Sequence, residues 1–115
     1  MSLFFQDTFV GYGGLVHIDW SSLRAEMSFL VDNNRVTDLS TYSSDFSAFI
    51  FMIKKLAFKD LLFNRIFVET YAHRHSHLAI LEANGFVFEG RLRQHVRIES
   101  KFVDSVFHGL LSTQQ

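Results

Sequence analysis

An α/β (α+β) layer, a mixed and mostly antiparallel sheet flanked by two helices, is the fold class this sequence predicts. Three observations carry it. Apolar residues recur at period two over 10–20 and 24–31, and at helical spacing over 45–59. The stretch from Phe63 to Arg93 then reads as strand, short helix, glycine stop and strand, with another long strand behind it. Strands that alternate with helices and finish in a hairpin imply a mixed sheet.

Val10, Tyr12, Gly14, Val16, Ile18 and Trp20 line one side of the first strand, while His17 and Asp19 end the other. Ser21-Ser22 supplies a turn into Arg24–Val31, where Ala25, Met27, Phe29 and Val31 alternate with Arg24, Glu26, Ser28 and Leu30. The two runs make an antiparallel hairpin. A polar loop from Asp32 to Ser44 leads into a helix from Asp45 to Lys59, on which Phe46, Phe49, Ile50, Ile53, Leu56 and Ala57 form a stripe widened by Phe51, Met52 and Phe58. So broad an apolar face packs deep, against the sheet and something else. Ser44 is placed to cap that helix, with Asp45 favourable in its first turn.

Asn64–Tyr71 is a strand with a nearly continuous apolar run, and Ser76–Asn84 is a short helix stopped by Gly85, a residue suited to a left-handed cap. Phe86–Ile98 and Phe102–Leu111 close the chain as a hairpin turned at Glu99–Lys101. Trp20, Phe29 and the helix phenylalanines read as core.

At 115 residues the chain is one domain, 1–115, and its 48% apolar content with 14 phenylalanines fills a single core. A net charge of −1 gives no general pull toward nucleic acid or an anionic membrane, and neither is expected as a partner. The absence of cysteine removes disulfides, thiolate nucleophiles and thiolate metal sites. A cytoplasmic location is the simplest fit. The N-terminus has no secretory pattern, and no window approaches the ~18 uninterrupted apolar residues of a membrane span.

Several segments, taken in order, resemble one family. Gly11-Tyr12-Gly13-Gly14-Leu15, Ala25–Val31, Lys55-Leu56-Ala57-Phe58, Leu81-Glu82-Ala83-Asn84-Gly85-Phe86 with Glu89-Gly90, and Lys101–Asp104 are similar to successive parts of the GCN5-related N-acetyltransferase (GNAT) domain, in particular its ribosomal-protein-acetylating (RimJ/RimL-like) branch. The likeness covers roughly residues 9–111. It implies a GNAT-like sheet that lacks the family's N-terminal strand and two helices, since only Met1–Thr8 stands in their place.

The resemblance further implies acetyl-CoA as cosubstrate and a small-molecule or peptide amine as acceptor. In the family the cofactor lies in a splay between the fourth and fifth strands, with its pyrophosphate at a glycine-rich helix start, where unpaired amides attract anions. The loop glycines correspond to Tyr42 and Ser44 here, and Asp45 follows them. Phe29, Val31, Arg35, Tyr42, Ser43, Ser44, Arg74 and His77 are the positions implied for the cofactor, with Arg74 and His77 standing where the family has asparagine and serine. Leu81 replaces a tyrosine that often serves as general acid. Transfer in the family is direct, the amine losing a proton to a base while a fourth-strand amide polarises the thioester carbonyl.

Glu26, with Ser28 on the polar side of the same strand, is the candidate base; the alternative is a solvated residue paired with Arg24. His73, His75 and His77 suggest either a solvated loop or a weak metal site, and no third ligand has a suitable spacing, so no metal is expected. One of these histidines could serve a thiolate leaving group. Arg91, Arg93, His95 and Arg97 form a basic ladder by period two, either a protective solvated edge or an anion site. Two functions follow: an acetyl-CoA-dependent N-acetyltransferase, expected to be homodimeric, or a non-catalytic dimeric GNAT-like binding module or truncated remnant.

Overall fold

The computed structural model describes residues 2–5, 8–31 and 39–114, with side chains over 13–29 and 43–113. Strands β1 (Ser2–Phe5), β2 (Thr8–Asp19) and β3 (Arg24–Val31) are followed by helix α1 (Leu39–Lys54), which runs into a π-helical turn at Lys55–Asp60. Strand β4 (Arg65–Tyr71), helix α2 (His75–Ala83), and strands β5 (Val87–Ile98) and β6 (Lys101–Leu111) complete the order. The sheet runs β1-β2-β3-β4-β6-β5, antiparallel throughout except for the central β3–β4 pair. This is the mixed, mostly antiparallel sheet with two helices that the periodicities predict.

Both helices cover one face. On β4, Ile66, Val68 and Thr70 point inward and are buried, and on β3 Ala25 and Met27 do the same. Phe46, Phe49, Ile50, Ile53 and Ala57 of α1 and its π turn meet them, with Phe29 stacked on the rings of Phe46 and Phe49 at 5.0 and 4.5 Å. The helices are tied by Lys54, whose Nζ donates to the Asn84 carbonyl at 2.6 Å, and by Asn84 Nδ2, which donates to Ser47 Oγ at 3.1 Å. Burial holds the Lys54 ammonium below its ordinary pKa. Gly85, at φ +94°, ends α2 in the left-handed region as its sequence position predicts.

Several expectations change. A short strand, β1, pairs with β2 ahead of Val10; four residues are too few to register as periodicity. Helix α1 begins at Leu39, so Ser44 does not cap it and Asp45 is not in its first turn. With no proline or glycine in 39–60 to stop it, the helix extends through the serine-rich stretch. Phe51, 72% exposed, projects from α1 opposite the stripe that meets the sheet, and nothing among the described residues covers it. Trp20 is 62% exposed, because a bulge at His17–Ile18 shifts the end of β2 out of phase. It keeps a tilted contact with Phe63 at 5.2 Å.

A second bulge sets three residues of β5, 93–95, against Asp104. Gln94 takes φ +49° there, and the Asp104 carboxylate accepts from its amide and from Arg91 Nε, both at 2.7 Å. The Gln94 amide foremost, then Arg91, holds the Asp104 pKa below the usual carboxylate value. Arg93 and His95 lie within the bulge, so the four basic residues do not form one ladder.

Glycine 13 stands where backbone and a packed ring leave no room for a side chain. A Cβ would lie 2.8 Å from the Phe49 ring and 2.9 Å from Phe29 Cα, and would also run into the Ser28 carbonyl, whereas a Cβ at Gly90 meets nothing within 4 Å. Gly13→Ala is expected to destabilise the protein by about 1–3 kcal/mol through overpacking, and Gly90→Ala to change stability by no more than about 0.5 kcal/mol. Urea denaturation of the two variants checks this.

Candidate functional site

Strands β3 and β4 pair through only three residue pairs, Arg24–Arg65, Ala25–Ile66 and Glu26–Phe67. Beyond that point β3 continues along β2 as far as Val31, and β4 continues along β6 as far as Tyr71. Each strand is held by its outer neighbour while the inner edges separate. Among the described residues the main-chain groups on those edges have no strand partner across the gap, and such groups demand one. A cavity of about 540 Å³ occupies the fork.

Its walls differ by face. On the helix side stand Met27, Phe29, Phe46, Val68, Thr70 and His77; on the open side stand His17, Glu26, Ser28, Glu69 and Tyr71, with Arg74 at the end of β4. Glu26 belongs to the last paired rung, so its carboxylate sits at the crotch of the fork. The β2 bulge places His17 in the left-handed region, φ +49°, and turns its ring so that Nδ1 donates to Glu26 Oε1 at 2.6 Å. The His17 side chain is 77% exposed and that of Glu26 only 18%. Arg24, expected beside Glu26, instead reaches Asp19 at 3.1 Å. Glu69 accepts from Ser105 Oγ at 2.7 Å.

His77 corrects the reading of its cluster as a solvated loop. It lies on the inner face of α2, buried and tilted against the Phe46 ring at 4.5 Å. Burial foremost, then Arg74 and His108, pushes its pKa down to about 3, so the ring is neutral at physiological pH. His73 precedes the helix and lies against Tyr71, while His75 is exposed. Among the described residues no group of three His, Cys, Asp or Glu could hold a metal ion.

Of the residues expected at the site, Glu26, Ser28, Phe29, Arg74 and His77 come together around the cavity. Ser43 and Ser44 lie in the second turn of α1, where their amides bond within the helix, so any amides open to an anion belong to its first turn. Arg35 and the side chains of Val31 and Tyr42 lie outside the described residues. Sequence reasoning missed His17, Glu69, Thr70 and Tyr71. The even-position run continues past His17 to Trp20 and hides the bulge there, and the others depend on which strand β4 borders.

The residues present suit the two ends of an acyl thioester cofactor unequally. The open strand edges and the Thr70 hydroxyl, buried without a partner among the described residues, match a chain of amide groups lying in the fork. The start of α1 lacks the glycines that would let a phosphate approach closely.

A family model described as an acetyltransferase (GNAT) domain matches residues 2–107. No curated protein matches the chain. A probable acetyltransferase of known structure superimposes with TM-score 0.82 at 20% identity, over 99% of this chain and 62% of that one. A chimera of the spermidine N-acetyltransferase SpeG from Vibrio cholerae and hSSAT gives TM-score 0.83 at 18% identity, over 94% and 61%. The dodecameric structure of the Vibrio cholerae enzyme in an intermediate state gives 0.82 at 18%, over 94% and 60%. The chain thus spans about three fifths of the length of these structures. Identities this low speak for the fold alone.

The neutral, buried His77 makes stability depend on pH. In the unfolded chain His77 takes up a proton near its ordinary 6.5, whereas the folded protein refuses it until about 3. Stability is therefore full above about pH 6.5 and falls as the pH drops, by up to about 1.4 kcal/mol per pH unit. Asp19, Glu89 and Asp104, whose folded pKa values are lowered, lose their contributions only within and below the ordinary carboxylate range. Denaturation between pH 6.5 and 4.5 is expected to show the decline, and His77→Gln to flatten it.

Proposed function

The chain belongs to the GNAT acetyltransferase family, and on that premise we propose that it transfers an acetyl group from acetyl-CoA directly to an amine. The observation that carries the reading is the fork between β3 and β4, with Glu26 at its crotch. Acetyl-CoA supplies the acetyl group as a thioester. The inner edges of β3 and β4, with Phe29, Val31 and His77, would hold its amide-bearing arm, and Arg74 with Arg35, Tyr42, Ser43, Ser44 and the first-turn amides of α1 its anionic end.

Glu26 acts as the base. The amine approaches from the open face, where Glu26 and Glu69 favour a cation, and loses its proton to the Glu26 carboxylate beside Ser28. His17, bonded to that carboxylate, orients it, and the proton leaves to water at the open face. An unpaired amide on the inner edge of β3 polarises the carbonyl under attack.

Small amines are the acceptor class this reading favours, with peptide amines next. The spermidine specificity stated for the Vibrio cholerae relative supports the choice. Leu81, in place of tyrosine, supports the RimJ/RimL-like branch. A single domain over 1–115, a homodimer and a cytoplasmic location complete the proposal, with neither nucleic acid nor membrane as a partner. The single apolar core supports the first, the dodecameric relative is compatible with the second, and the lack of cysteine fits the third. Among the described residues no helix is long and apolar enough to cross a membrane. The non-catalytic module is not favoured, since the family match and the open fork with Glu26 at its crotch support acetyl transfer.

Calorimetric titration with acetyl-CoA, followed by assay of thiol release with spermidine, tests the reading. Binding in the micromolar to millimolar range is expected, and Glu26→Gln is expected to lower kcat by about 10²–10⁴-fold while leaving cofactor affinity unchanged. No binding at millimolar acetyl-CoA contradicts it.

A further inference from the structure

Three polar groups on the helix side of the sheet have no part in the proton transfers above. Thr70 on β4 is 2% exposed and lines the cavity, and its Oγ1 has no hydrogen-bond partner among the described residues. His108 on β6 is 1% exposed; its Nε2 lies 2.9 Å from Glu82 Oε2, while Nδ1 has no partner among the described residues. Glu82, on α2, has 56% of its side chain in water. A buried polar group left unsatisfied is costly, and two of them on one face call for a common explanation.

The strand register supplies one. Val68 opposes His108 and Thr70 opposes Val106, so Thr70 and His108 are diagonal neighbours on the same face of adjacent strands. Side chains at that offset stand within roughly 7–8 Å of each other, a separation of the size that a single bridging water spans. The carboxylate of Glu82 accepts from Nε2–H and so fixes the ring with Nδ1 turned away from α2. The edge of the Phe88–His108 pair, at 6.0 Å, closes the other side of the ring.

We infer that Thr70 protonates the sulfur that leaves in acetyl transfer, with His108 as its proton source and Glu82 as the group that holds His108 in place. The inference rests on the acetyl-transfer reading. Leu81 has no proton to give. As the bond from nitrogen to the acetyl carbon forms, the carbon–sulfur bond breaks and sulfur keeps the electron pair. Thr70 Oγ1 gives its hydrogen to that sulfur and takes one from His108 Nδ1 through one bridging water. His108, left neutral with Nε2–H on Glu82, regains its proton from water entering once the thiol has gone. The amine's own two protons leave through Glu26, so one proton is released overall.

Thr70 is the catalytic residue here; His108 and Glu82 are positioning residues. The charged and titratable groups that face His108 are Glu82 and His77 from α2 and Glu89 from β5, the last paired with Arg65, while its β4 neighbours Val68 and Thr70 carry no charge.

Ring ¹⁵N spectra of the full chain, recorded with and without CoA, test this alongside calorimetry. CoA is expected to move the His108 Nδ1 resonance. Thr70→Val is expected to abolish that response and to lower kcat about 10²-fold with KM unchanged, and Thr70→Ser to restore both. Glu82→Gln is expected to weaken the CoA response of the His108 ring. CoA bound with His108 silent, or Thr70→Val with full kcat, overturns the inference alone. Absence of CoA binding overturns the acetyl-transfer reading and this inference with it.

Discussion

Past Glu26 and Phe67 the two parallel strands at the centre of the sheet stop bonding to each other, and the rest of the site is built on that separation. Antiparallel pairing with β2 keeps β3 extended to Val31, and pairing with β6 keeps β4 extended to Tyr71. Neither strand can swing across to close the gap without breaking its outer ladder. The fork is thus an opening lined by main-chain donors and acceptors that are left without a strand partner among the described residues. Phe29, stacked between Phe46 and Phe49, anchors α1 against one prong, and Gly13 lets the Phe49 ring come that close.

The two faces of the fork divide the polar groups. Carboxylates of Glu26 and Glu69 occupy the open face, where a cation can reach them; Thr70, His77 and His108 occupy the helix face, where water is scarce. Local breaks in the strands do the aiming. The β2 bulge swings His17 onto Glu26, and the Arg65 guanidinium forms a two-pronged pair with Glu89 across Gly109, where the absence of a Cβ leaves room. That bond to Glu89 raises the Arg65 pKa and lowers that of Glu89, as expected of a charge-assisted pair.

Much of the scaffold was legible from the sequence because it follows from periodicity. The alternation of Ala25, Met27 and Phe29, the stripe from Phe46 to Ala57 and the Gly85 stop each correspond to an observed face or terminus. What was not legible depends on contacts between distant segments. The polar stretch ahead of Asp45 looks like a loop until the helix is seen to begin at Leu39. Bulges are invisible to a period-two reading, so Trp20 was placed in the core and Arg93 and His95 on a ladder. Glu26 and His77 were legible as candidates, but His17 is nine residues from Glu26 and Glu82 is 26 from His108, and only the sheet register brings them together.

Amide hydrogen exchange in the presence and absence of CoA tests the role of the fork most directly. The account predicts that CoA slows exchange in Met27–Val31 and Val68–Tyr71 and leaves the paired rungs at 24–26 and 65–67 unchanged. Protection confined to the β5 bulge around Gln94, or no change anywhere at saturating CoA, would contradict it.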